Sequence, residues 1–172
     1  MATITYTSRE EIEVHKFSIL ATVGIPLLAI FFQAYVSSHI PFLKLFDIPL
    51  IVMIFFAVSR RSQMAGMLTG CAIGITQDAL THLPIGIYGI SKTIVGYVAS
   101  SIGVRVDVDN PGSRFLMMFF FTFLHDGLYF IVSRQLLGLP ADFRILHELS
   151  AALGNAFLAV LLFTLMDHTK RR

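Results

Sequence analysis

The stretch GMLTGCAIGITQDALTHLPIGIYGISKTIVGY, residues 66–97, decides how this chain folds. Two apolar runs flank a short break in which Pro84 and Gly86 supply the turn. The first run carries glycine at 66, 70 and 74, and Asp78 continues the same row. The second run places Lys92 among isoleucines and valines. A run this apolar belongs in a bilayer or a deep core, yet glycine weakens a helix and a charge in lipid is costly. The stretch therefore predicts a helical hairpin whose glycines and charges each have a neighbour.

Composition says in which solvent the hairpin sits. The chain has 172 residues, of which 55% are hydrophobic and 14% charged, against roughly 25% charged in a soluble domain. Mean hydropathy is +0.74. A soluble fold of this length could not cover so much apolar surface, so an integral membrane protein is expected. Cys71 is the only cysteine, which excludes an intrachain disulfide. The polar start MATITYTSREEIEVHK lacks the basic region and short apolar core of a cleavable signal peptide, so a retained first span is expected.

A transmembrane helix needs about 20 mostly apolar residues. Six runs satisfy or approach this: 17–37, 48–58, 63–80, 85–103, 114–137 and 147–166. The second is short, and extending it back to residue 40 takes in Lys44, Asp47 and two prolines. It reads as a short or broken span with an interfacial lead-in. The expected fold class is thus an all-α membrane protein. It has a polar tail over 1–16, one six-helix transmembrane domain over 17–167 and a basic end over 168–172. With the N-terminus in the cytoplasm, Arg9, Lys16, Arg60, Arg61, Arg105 and Arg114 lie inside, as do Lys170, Arg171 and Arg172. Only Lys44, Arg134 and Arg144 then fall outside. The positive-inside rule therefore predicts both termini in the cytoplasm. No extramembrane segment is long enough for a folded domain.

Residues four apart share one helix face. Gly66, Gly70 and Gly74 therefore form a smooth stripe on which another backbone can approach closely; the neighbour is either a helix of this chain or a partner. Asp78 ends the first run and Lys92 lies two turns into the second, so their levels differ by about 5 Å. An intramembrane charge pair between Asp78 and Lys92 is expected. His125 and Asp126 fall near the middle of run five, with Arg134 eight residues on. They outline a candidate polar cavity, or else hydrogen bonds between helices. His147 and Glu148 open run six as capping or solvated groups.

Two catalytic readings fail on their own terms. Gly89-Ile90-Ser91 is similar to the G-x-S of rhomboid-type intramembrane proteases, but Lys92 stands where that pattern has glycine. A metal site on His125-Asp126 or His147-Glu148 is disfavoured because adjacent helical residues diverge by about 100°. No catalytic residue, metal, cofactor or nucleic-acid contact is expected.

From Asp47 to Tyr97 the chain resembles the rod shape-determining protein MreD family. The resemblance rests on Asp47-Ile48-Pro49, Arg60-Arg61, the row Gly66, Gly70 and Gly74, and Gln77-Asp78. It continues through Leu83-Pro84-Ile85-Gly86 and Tyr88-Gly89-Ile90-Ser91-Lys92 to Val95-Gly96-Tyr97. What the resemblance implies is a non-enzymatic scaffold in the bacterial inner membrane. Its partner would be a single-span MreC-like protein, and through it a RodA-type glycosyltransferase, a class B penicillin-binding protein and the MreB filament. Together these support lateral peptidoglycan synthesis and rod shape. The resemblance also implies a fold like the substrate-binding subunits of energy-coupling factor transporters. The alternative is therefore such a vitamin-binding subunit, or a binder of lipid or wall precursor. Vitamin-binding subunits dock through small residues four apart on their first helix, and ATVGIPLLA, residues 21–29, lacks that row.

Overall fold

The computed structural model describes residues 18–103, 106, 110–140 and 143–169. The tail over 1–16, Arg105 and the basic end Lys170–Arg172 lie outside the described residues. Six α-helices follow in order: α1 Ile19–His39, α2 Ile48–Arg60, α3 Gln63–Leu80, α4 Ile87–Ile102, α5 Pro111–Ile131 and α6 Ile145–Met166. A 3-10 turn, Pro41–Leu45, leads into α2, and a π-helical turn, Val132–Leu136, extends α5. No strand occurs among the described residues. By length and composition, Phe42–Arg60, Pro111–Leu136 and Ile145–Met166 are long and apolar enough to cross a membrane.

The helix that reads as the weakest span is the centre of the bundle. Every residue of α2 from Pro49 to Ser59 is buried. The sequence IPLIVMIFFAV is apolar on all sides, as a helix enclosed by others must be. Its 13 residues rise only about 20 Å, so the 3-10 turn and the flanking helices complete its depth. Asp47 caps its start by accepting the Leu50 N–H at 2.9 Å. Its last turn ends on Arg61, which takes a left-handed conformation at φ 53°. Around α2 the packing is aromatic and aliphatic: Phe55 meets Phe163 of α6 edge to face at 5.2 Å, and Met118 and Phe121 of α5 are fully buried.

The α3–α4 hairpin is the closest helix pair. A Cβ on Gly66 would collide with the Gly96 carbonyl and the Ser100 hydroxyl. One on Gly70 would lie 2.7 Å from the Lys92 carbonyl carbon, and one on Gly74 would lie 2.7 Å from the Gly89 Cα. The glycine stripe thus faces α4 of the same chain, backbone to backbone. Beyond Pro84, Gly86 takes φ 115°, a conformation that side chains strain to adopt, and α4 starts at the next residue.

The two ends of the bundle differ chemically. At one end Arg60 donates to the Thr22 hydroxyl at 2.6 Å and buried Arg114 pairs with Asp167 at 2.7 Å. At the other end the close of α1, α3 and α5 meets the start of α2, α4 and α6. That second end holds the polar cluster described next.

Candidate functional site

Asp47 is the hub. With Oδ1 spent on capping α2, its Oδ2 accepts Lys92 Nζ at 2.6 Å, and Lys92 is wholly buried on α4. Its own backbone N–H donates to Asn155 Oδ1 of α6 at 2.9 Å. Asn155 returns Nδ2–H bonds to the carbonyls of Leu45, 3.1 Å, and Ala151, 3.0 Å. From α1, Gln33 Nε2 donates to the Phe46 carbonyl at 2.8 Å, and its Oε1 accepts from the Ile48 N–H at 3.3 Å. A buried backbone group without a partner is costly. The two amides therefore hold the chain between the 3-10 turn and α2, tying α1, α2 and α6 at one point, and Lys92 adds α4 through Asp47.

The expected Asp78–Lys92 pair does not form. Asp78 is fully buried, but its carboxylate accepts three backbone N–H groups: Gly86 at 2.8 Å, Tyr88 at 3.0 Å and Gly89 at 3.2 Å. Gly86, the N-cap residue of α4, has no side chain to cap those donors. A carboxylate is also favoured at the positive end of a helix, so Asp78 serves the start of α4. Lys92 lies on another face of that helix, and Asp47 of α2 takes it. Matching heights along two helices did not fix the angle around them.

His125 brings α5 into the cluster. It is buried, its Nδ1 lies 3.0 Å from Asp126 Oδ1, and its Nε2 lies 4.0 Å from Asp47 Oδ2. Its ring stacks on Tyr88 at 5.7 Å with planes 4° apart. Tyr88 also touches Tyr129 at 5.1 Å, and Lys92 Nζ lies 5.5 Å from its ring centre. Arg134, expected in the same cavity, is elsewhere. The π turn winds the chain differently after Val132 and carries Arg134 to an exposed position, 5.8 Å over the Phe130 ring.

Two clefts flank the hub. The first, about 240 Å³, opens between the 3-10 turn, α5 and α6, and Asp126, Tyr129 and Glu148 line it with Asp47 and His125. The second, also about 240 Å³, lies between α1 and α3 and is lined by Gln33, Gln77 and Leu80. Lys44, Asp47 and Tyr88 border both. Ser91 is turned away from chemistry, donating to the Ile87 carbonyl of its own helix at 2.9 Å. No group of three or more metal-binding side chains occurs among the described residues.

Asp47, Asn155 and Gln33 as one clamp escaped the sequence reading. The signals were present: an aspartate directly before Ile-Pro is a helix-capping pattern, and Asn155 is a solitary amide in an alanine- and leucine-rich run.

A family model described as rod shape-determining protein MreD matches residues 14–169. No curated protein and no solved structure matches the chain.

Proposed function

This chain belongs to the rod shape-determining protein MreD family, a membrane protein family, and from that premise we propose that it is a scaffold subunit of the bacterial elongation complex. In this reading it performs no catalysis. It binds an MreC-like single-span protein and, through it, supports the RodA-type glycosyltransferase, the class B penicillin-binding protein and the MreB filament in lateral wall synthesis. All six helices cross the inner membrane, both termini are cytoplasmic, and the Asp47 cluster faces outward.

The observation that carries the proposal is the family match over nearly the whole chain. The structure adds a physical reason for a framework role. The Asp47 clamp and the backbone-to-backbone hairpin leave little room for the helices to slide. An apolar groove of about 280 Å³ lies between α1 and α3, lined by Pro26, Leu27, Leu68, Ala72 and Thr76. On its α3 side Thr69, Ala72 and Thr76 are small enough to suit close approach of a partner's transmembrane helix. Affinity capture of the tagged chain from a detergent extract of its rod-shaped host should retain the MreC-like protein. Cysteine at Thr76 should crosslink to that protein's span. Capture without the MreC-like protein, from cells that express both, would refute the partner assignment.

A further inference from the structure

The cleft beside α5 and α6 carries a chemistry that the scaffold role does not use. His125 is 2% exposed. Its Nδ1 faces the Asp126 carboxyl, so in the neutral ring with the proton on that nitrogen Nε2 is the acceptor. That Nε2 is buried and has no hydrogen-bond partner. Asp47 Oδ2, at 4.0 Å, is beyond hydrogen-bonding reach and already holds Lys92. The Thr122 hydroxyl, about one turn earlier on α5, is 1% exposed and equally without a partner. Buried polar atoms left unsatisfied are costly, and both residues line the cleft.

The charges around these atoms have a sign. Asp47, Asp126 and Glu148 contribute three carboxyls to the lining, and Glu148 is only 16% exposed. Against them stand two ammonium groups, Lys92 buried beneath Asp47 and Lys44 exposed at the rim. Acidic groups outnumber ammonium groups there, inside walls that include the rings of Tyr88 and Tyr129. Aromatic faces and carboxylates together attract a cation. A lone-pair nitrogen, a hydroxyl and two carboxyls call for a cation with several N–H donors. Lysine-type ammonium groups have three and quaternary ones have none. At about 240 Å³ the cleft is below the roughly 300–1,000 Å³ of sites for drug-sized ligands, so it admits a head group and not an acyl chain.

We propose that this cleft binds the primary ammonium of a zwitterionic phosphoethanolamine group. The ammonium donates to His125 Nε2 and to the carboxyls of Asp126 and Glu148, while Lys44 meets the phosphate at the rim. The group comes either from an aminophospholipid in the surrounding leaflet or from a soluble zwitterion. The site does not depend on the partner assignment, and its test contains no partner.

The purified full-length chain in neutral detergent is titrated with phosphatidylethanolamine, phosphatidylcholine, phosphatidylglycerol and soluble O-phosphoethanolamine, with bound ligand read by native mass spectrometry. Phosphatidylethanolamine or O-phosphoethanolamine should bind at least about ten-fold more tightly than the other two lipids, as expected when charge-assisted hydrogen bonds are lost. Preference for the lipid form assigns the site to the leaflet, and equal binding of the soluble form assigns it to a soluble zwitterion. Glu148→Gln and His125→Gln should each weaken binding about ten-fold, whereas Arg134→Gln, outside the cleft, should leave it unchanged. Equal affinity for the choline or glycerol lipid would overturn the proposal. So would Glu148→Gln protein of unchanged helicity that binds as well as the parent.

Discussion

Three helices are joined through one residue at Asp47: its carboxylate holds α2 by the Leu50 N–H and α4 by Lys92, and its backbone N–H is held by Asn155 of α6. Removing one partner of a buried pair leaves a charge without compensation, at a cost of about 3–5 kcal/mol. Asp47→Asn and Lys92→Met should therefore each lower the thermal midpoint strongly. The double variant should cost clearly less than the sum of the two, because contacting residues are energetically coupled. Asp78→Asn should also destabilise, by about 1–3 kcal/mol through lost capping, but additively with Lys92→Met. A thermal-melting cycle in detergent checks both, and coupling of Lys92 to Asp78 in place of Asp47 would contradict the geometry. The sequence shows that Lys92 needs a partner. It does not show which, because Asp47 and Lys92 are 45 positions apart and only tertiary packing brings them together.

Among the elements, the α3–α4 hairpin was the most legible. Glycines four apart can only line one face, and that face meets α4. Gly70→Ala should loosen the hairpin and lower the melting midpoint, since the new methyl would meet the Lys92 carbonyl. Overpacking of this kind costs about 1–3 kcal/mol. Gly24 on α1 has nothing within 4 Å of an added Cβ, so Gly24→Ala should be neutral or stabilise by about 0.5–1 kcal/mol from helix propensity. Equal effects at both positions would remove the packing account. The central place of α2 was not legible. An apolar helix facing lipid and one facing other helices have the same composition, and only the enclosing packing distinguishes them. Arg134 was misplaced for a related reason: a π turn has no simple sequence signature, and it breaks the eight-residue spacing from Asp126.

At the scale of the whole molecule, the Asp47 cluster ties the end where α1, α3 and α5 finish, the Arg60–Thr22 and Arg114–Asp167 contacts tie the other end, and the core around α2 is apolar. That arrangement suits a protein anchored in the membrane. The candidate cavity was partly foreseeable. His125 and Asp126 stand out in a phenylalanine-rich run, whereas Glu148, Lys44 and Asn155 join them only through the fold. The scaffold reading is tested most directly in the rod-shaped bacterium that carries this gene, by measuring cell length-to-width ratio as the protein is depleted. The account predicts that cells widen and round up while the protein declines, and that re-expression of the parent chain restores rods. Cells that keep their width and rod shape after the protein is gone would contradict it.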